Sequence, residues 1–308
     1  MTLPILYEDG EALVIDKPSG MAVDRPRKGG ICLEDHLEPL KLGFQRAPVA
    51  VHRLDTDTSG CLLLARNPKA LARFNRAFEE RLVGKTYLAI LAGHPQGTSG
   101  TIELALSKIS SAEKGWRMIA AKKGKPAVSH WELVAELGPH SLIRFRPETG
   151  RTHQLRVHMA AIGHPIVGNG KYGGAAAFLT GGISRKMHLH ARRLIITEPK
   201  AGEGSGGKLD VTAELPPHFA ASMEVLGFDP AMSDAAPLRE EVPEKTAEEK
   251  KQAARRHFKQ ARKETRAPRR ARGAANAKAK PKGKAKSKPG PGAKPAPKPR
   301  GAGRKPTR

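Results

Sequence analysis

Asp55 stands in the run His52-Arg53-Leu54-Asp55-Thr56-Asp57-Thr58-Ser59-Gly60, between an arginine and a stretch of small hydroxyl and glycine residues. The apolar run Cys61-Leu62-Leu63-Leu64-Ala65 follows at once. A loop of this make-up presents a carboxylate at the mouth of a buried strand. Acids in polar loops most often serve as turn residues or helix caps, yet three features ask more of this one. Asp57 is available for the turn, Leu54 and the strand draw Asp55 inward, and a buried carboxylate needs a partner. Residues 148–158, Glu-Thr-Gly-Arg-Thr-His-Gln-Leu-Arg-Val-His, supply a cation in Arg151, set in a glycine-initiated turn before a helix. An arginine that keeps a carboxylate ionised by charge attraction and hydrogen bonding prepares it for nucleophilic or base work.

The elements that must position these groups are legible in outline. Residues 11–16 read as a short strand ended by the turn Lys17-Pro18-Ser19-Gly20. Residues 62–64 continue as a buried strand, and Asn67-Pro68 opens a helix with Asn as N-cap and Pro in the first turn. Leu71, Phe74, Ala77, Phe78 and Leu82 recur at helical spacing, with Gly84 placed for a C-cap. Residues 85–93 form a further strand, and 98–147 read as short strands between Gly and Pro turns, including 129–136 and 141–146. From Thr152 to Ile162 the pattern is helical, with Leu155, Met159 and Ile162 on one face and Gly163 as its stop. Residues 201–207 read as a flexible hairpin tip between strands at 190–197 and 208–213. Strands outnumber helices and short turns join them, which predicts an α+β fold with a mixed, largely antiparallel central sheet flanked by helices and loops.

Charge divides the chain. Of its 55 lysines and arginines 22 lie in residues 251–308, with a single acid there, Glu264, so +21 of the net +25 belongs to that stretch. We therefore expect one catalytic domain over residues 1–230 and a charged linker over 231–264 with a capacity for helix. A disordered basic tail over 265–308 completes the division. Two cysteines in apolar surroundings, Cys32 and Cys61, exclude a disulfide scaffold and fit a reducing cytoplasm. No run approaches 18 apolar residues, so no membrane span is expected.

The segment His52-Arg53-Leu54-Asp55, two residues, then Thr58-Ser59-Gly60 resembles the signature of the RluA-type family of RNA pseudouridine synthases. Further segments match that family in order: Asp16-Lys17-Pro18-Ser19-Gly20-Met21, Lys85-Thr86-Tyr87 with Ala89 and Gly93, Gly150 to His158 with Gly163 to Gly168, and Leu189-His190-Ala191. The resemblance covers roughly residues 5–228 and implies isomerisation of uridine to pseudouridine without metal or cofactor. It implies Asp55 as the catalytic aspartate, attacking ribose or uracil or acting as base, with Arg151 paired to it. Tyr87 would lie against the uracil, Leu155 would wall the pocket, and Arg53 would fill the gap left by a flipped uridine. Flipping is required because a stacked base cannot be turned and rejoined in place. The implied partner is RNA, an rRNA or tRNA stem-loop, and the enzyme is expected to act as a monomer. The family usually has Asp where Asn169 stands, and often His-Pro where Glu198-Pro199 stands. Only 15 residues precede Asp16, so the small basic module that often opens such chains is expected to be missing, which leans the expectation towards a small stem-loop such as one in tRNA.

His153, His158, His164, His188 and His190 lack the spacing and the cysteines of a zinc site, and structural or RNA-contacting roles suit them better. Trp116 and Trp131 are expected in the core rather than stacked on bases. A non-catalytic RNA-binding or ribosome-assembly protein retaining the fold is the rival, opposed by the joint presence of Asp55, Arg151 and Tyr87. The tail is a sequence-independent phosphate binder on this reading. Deleting residues 236–308 should flatten the fall of RNA affinity with salt, measured by titration across ionic strengths; an unchanged slope would rule the tail out as a binder.

Overall fold

The computed structural model describes residues 2–26, 29–111, 115–197 and 208–234. The expected hairpin tip at 201–207, Glu198-Pro199, nearly all of the charged linker and the whole basic tail lie outside the described residues.

In chain order the strands are β1 (Ile5–Glu8), β2 (Ala12–Lys17), β3 (Val49–Ala50), β4 (Ser59–Ala65), then β5 (Val83–Ala92) after helix α1 (Pro68–Glu79). There follow β6 (Ser99–Glu103), β7 (Leu106–Ser111), β8 (Gly115–Ala120), β9 (Val128–Leu137) and β10 (His140–Pro147). Helices α2 (Gln154–Ala161) and α3 (Gly170–Gly173) lead to β11 (Leu189–Thr197), β12 (Lys208–Thr212) and α4 (Pro217–Leu226). One sheet runs β1-β2-β4-β11-β5-β10-β9-β6, with β12 added beside β11 and β3 beside β4. Its pairings are antiparallel except the one between β4 and β11. This is the mixed, largely antiparallel α+β sheet that the strand pattern predicts. The β7–β8 hairpin forms a separate two-stranded sheet.

β4 is buried along its whole length, which explains why Cys61 to Ala65 is a continuous apolar run rather than an alternating one. Leu63 packs with α1 residues Ala70, Phe74 and Ala77 on one face. Leu62 and Leu64 pack with Leu13, Ile15, Met21 and Leu54 on the other. The sheet is therefore covered on both sides where the Asp55 loop enters it.

α1 begins as its sequence dictates: the Asn67 side chain accepts from the Ala70 N–H at 2.9 Å, with Pro68 in the first turn. Its end differs. The helix stops at Glu79, and Arg81 takes the left-handed conformation at φ 60° that Gly84 was expected to supply. Leu82 N–H reaches back to Ala77 O at 2.9 Å and Arg81 N–H to Phe78 O, closing the helix. Gly84 is instead a residue of β5 facing Ile195. α2 starts at Gln154, two residues later than the helical pattern, because His153 at φ 54° cannot be part of it. No described helix is long and apolar enough to cross a membrane.

Gly60 pairs with Ala191 at the β4–β11 junction, at φ 109°, and a Cβ there would lie 2.3 Å from the Ala191 carbonyl oxygen. Backbone atoms, not a flexible side chain, fill that space. Gly60→Ala should therefore destabilise the fold by about 3 kcal/mol or more. Urea unfolding would show it as a lower midpoint at similar slope, and an unchanged midpoint would contradict it.

Candidate active site

Asp55 sits in the loop between β3 and β4, tied down from two sides. Thr58 N–H donates to Asp55 O at 3.1 Å, closing a turn through Thr56 and Asp57. The turn after β2 cradles it: Gly20 N–H donates to Thr56 O at 2.8 Å, and the Ser19 hydroxyl to Asp57 O at 2.8 Å. Lys17 completes the cradle. Its fully buried ammonium donates to the carbonyls of Pro18 (2.9 Å), Met21 (2.8 Å) and Thr56 (3.1 Å), which uses three donors on three acceptors. Burial pulls the Lys17 pKa down to about 8, while Asp57, Asp55 and Asp16 hold it up. The sequence shows these residues as a turn; the buried lysine within it is a tertiary feature.

The cation beside Asp55 is Arg156. Its Nη1 lies 3.3 Å from Asp55 Oδ2 and its Nη2 3.6 Å from Asp57 Oδ2. Nε donates to Asn169 Oδ1 at 3.2 Å, and the Asn169 amide returns a bond to Arg156 O at 3.2 Å. Arg156 is 4% exposed and Asn169 fully buried. Asn169, where the resemblance leads one to expect Asp, is thus more than local packing, because it fixes the guanidinium that faces Asp55.

The expected Arg151–Asp55 pair is not formed. Arg151 is exposed, and its Nε donates to Pro126 O at 3.1 Å. The physical reason lies in the helix start. Gln154 Oε1 accepts from the Arg151 backbone N–H at 3.0 Å, so Arg151 stays in the turn while the first turn of α2 directs Arg156 inward, next to the N-cap residue His153. The signal that could have found Arg156 was its setting. It follows Leu155 and precedes Val157 in a stretch with no nearby acid, where a charge that goes inside must meet a distant one.

The five residues singled out from the sequence, Asp55, Arg151, Tyr87, Arg53 and Leu155, line one cavity of about 450 Å³ together with Arg156, His153, Trp116 and Leu189. Tyr87 is half-buried between two core clusters, and burial, then the Asp55 charge, push its phenol pKa up and keep it protonated. Leu155 is 6% exposed and packs with Phe145 and Met159 in the wall. Arg53 is exposed and ion-paired with Asp24, itself exposed. His153 Nε2 lies 3.9 Å from Asp55 Oδ1, but burial pushes its pKa down to about 4, so it stands there as a neutral ring.

Three of the histidines take separate partners. His153 bonds the Tyr172 hydroxyl at 2.6 Å, His158 the Leu104 carbonyl at 3.0 Å and His190 the Ser59 hydroxyl at 2.9 Å. Among the described residues, no group of three or more His, Cys, Asp or Glu side chains converges. Trp131 is buried as expected; Trp116 is not, and stands 39% exposed at the cavity rim.

The model of the RNA pseudouridylate synthase family matches residues 11–161. An uncharacterized RNA pseudouridine synthase of Zymomonas mobilis is 51% identical over 213 residues, which cover 69% of this chain and 92% of that protein. Ribosomal large subunit pseudouridine synthase C of Rickettsia felis is 34% identical over 217 residues, 70% of this chain and 68% of that one. Human RNA pseudouridylate synthase domain containing 4, a solved structure, matches with a TM-score of 0.60 at 26% identity, over 73% of this chain and 93% of that chain. The fold is that of an RNA-modifying isomerase. The chain belongs to the RluA-type family of RNA pseudouridine synthases and converts uridine to pseudouridine in RNA.

One acid near the site titrates abnormally. Burial, and then the Glu214 charge, raise Asp16 from 3.8 to about 6. The folded state then holds its proton more tightly than the unfolded chain, so stability from this group is full below 3.8 and is lost as pH rises through about 6. Urea denaturation across that interval should show stability falling, and Asp16→Asn should flatten the slope. An equal slope in the variant would assign the effect elsewhere.

Proposed function

We propose that Asp55 is the residue that carries out the isomerisation, on a uridine flipped into the 450 Å³ cavity. The reading rests on one observation, a half-buried carboxylate held by the buried guanidinium of Arg156 within a cavity that also contains the Tyr87 ring. Asp55 attacks the ribose or the uracil ring, or acts as base. The N1–C1′ bond breaks, the retained uracil turns, C5 bonds to C1′ and gives up its proton, and N1 takes up a proton in exchange. Arg156 orients the carboxylate by a charge-assisted contact. Tyr87 offers the uracil a protonated aromatic face, and Leu155 an apolar wall.

Arg53 is assigned to the gap in the RNA stack. Its pair with Asp24 is exposed on both sides. Such pairs contribute about 1 kcal/mol or less, so Arg53 gives up its partner readily when RNA arrives. Arg151, solvated at the mouth, is reassigned from partner of Asp55 to phosphate contact.

The RNA is proposed to be that of the large ribosomal subunit rather than tRNA, because relatives are named for it. The cytoplasm is the proposed place of work, in keeping with two free, buried cysteines.

Three substitutions separate these roles. Asp55→Asn should reduce turnover by at least about 1,000-fold, and Arg156→Gln by about 100-fold or more, with RNA affinity little changed. Arg151→Gln should instead raise the half-saturating RNA concentration several-fold. Pseudouridine mapping of ribosomal RNA from cells with and without the gene checks the target. Persistent conversion by Asp55→Asn would sink the assignment.

A further inference from the structure

Trp116 begins the exposed side of β8, in the hairpin that stands apart from the main sheet. Its ring lines the same cavity as Asp55 and lies 5.0 Å from the ring of His153, which in turn neighbours the Asp55 carboxylate. The hairpin is anchored at this point: Met118 N–H donates to the Tyr172 hydroxyl at 3.1 Å, and that hydroxyl also bonds His153. Two cations sit against the indole, Lys171 Nζ at 3.8 Å and Lys108 Nζ at 5.0 Å from its centroid. A second cavity of about 500 Å³ adjoins the first through Gly150, Arg151 and Thr152, and Lys108, Lys123 and Lys125 line it with no carboxylate among its described residues.

We propose that Trp116 is a stacking platform for an unpaired nucleobase next to the uridine being isomerised, with Lys108, Lys171 and Arg151 taking the adjoining phosphates. This rests on the reading of the Asp55 cavity as the uridine pocket. A packing role is poor for a ring that is 39% exposed at a cavity rim. A purely structural cation–ring contact is the stronger rival, and magnitudes decide against it. An exposed ammonium over an aromatic ring contributes roughly 2- to 5-fold, whereas stacking one base on such a ring contributes roughly 5- to 150-fold. Lysine is a flexible, strongly hydrated point charge, so the base takes the ring face while the ammonium moves to phosphate. Every base has a π face, so the platform holds the flanking nucleotide without reading its identity.

The test uses the full chain and an oligouridylate of about seven nucleotides, at salt high enough to weaken the tail's phosphate binding. Tryptophan emission is followed; with Trp131 buried, quenching reports on Trp116. Saturable quenching is expected, and replacing the bases that flank the central uridine by abasic ribose should weaken binding about ten-fold. In the variants, which lack this reporter, binding is followed by the anisotropy of an end-labelled oligonucleotide: Trp116→Leu should lose about the same factor and then become indifferent to the abasic change, while Trp116→Phe stays within about three-fold of the unaltered chain. The abasic comparison needs no variant, so it decides the matter even if a substitution folds badly. Binding that ignores the flanking bases, absence of binding, or an equal loss in Trp116→Phe and Trp116→Leu would overturn the platform. Conversion of uridine is scored separately, on RNA from cells lacking the gene. Failure there with base-dependent binding intact removes the Asp55 assignment and leaves the platform standing.

Discussion

A guanidinium that is 4% exposed cannot stay charged inside a protein unless acceptors surround it, and Arg156 meets that demand with Asp55, Asp57 and Asn169. Taking a charge out of water costs several kcal/mol per ion even after relaxation, so each partner is needed by the others. The loop between β3 and β4, the first turn of α2 and the segment entering α3 therefore lock one another. Lys17 extends the same logic one layer further: a buried ammonium at the end of β2 is saturated by carbonyls, one of which belongs to the Asp55 loop. The Asp55 loop is held by two buried cations from distant parts of the chain, Arg156 at its carboxylate and Lys17 at the Thr56 carbonyl. The loop itself contributes mainly the turn.

This arrangement divides the cavity by its wetting. On the inner side lie Asp55, Arg156, neutral His153 and the protonated phenol of Tyr87, where few waters compete and charge interactions are strong. On the outer side lie Arg53, Arg151 and the half-open ring of Trp116, beside the exposed residues Lys108 and Lys171. Chemistry on a base needs the first environment, and a polyanion needs the second. The two meet at Gly150 to His153, which explains why one turn holds an exposed arginine and a buried one only five residues apart.

Much of the fold was legible. β2, β4, the start of α1 and the β11–β12 pair follow from local rules: an apolar run, an Asn-Pro cap, strands on either side of a glycine-rich stretch of sequence. Gly84 misled because glycine is the usual left-handed C-cap, while hydrogen bonds from Arg81 and Leu82 to the last turn of α1 let an arginine adopt that conformation. Trp116 misled because indoles favour cores, and nothing local says that its hairpin stands off the main sheet. The membership of the cavity was legible in full for Asp55, Tyr87, Arg53, Leu155 and Arg151, through ordered motifs. The pairing inside it was not.

By itself, then, the sequence determined which residue types meet: a carboxylate at a strand mouth, an arginine-rich turn before a helix, an aromatic strand, and a charge excess confined to the last residues. Those follow from composition and short-range spacing, which act within a few residues. Only the tertiary structure decided which arginine faces Asp55, because that depends on where α2 begins and which side of it turns inward. It also decided that Asn169 and Lys17 support the site and that Trp116 faces its rim. Each of these is set by burial, and burial is a property of the packed chain, in which residues 55, 156 and 169 occupy one desolvated volume that no local stretch of sequence contains.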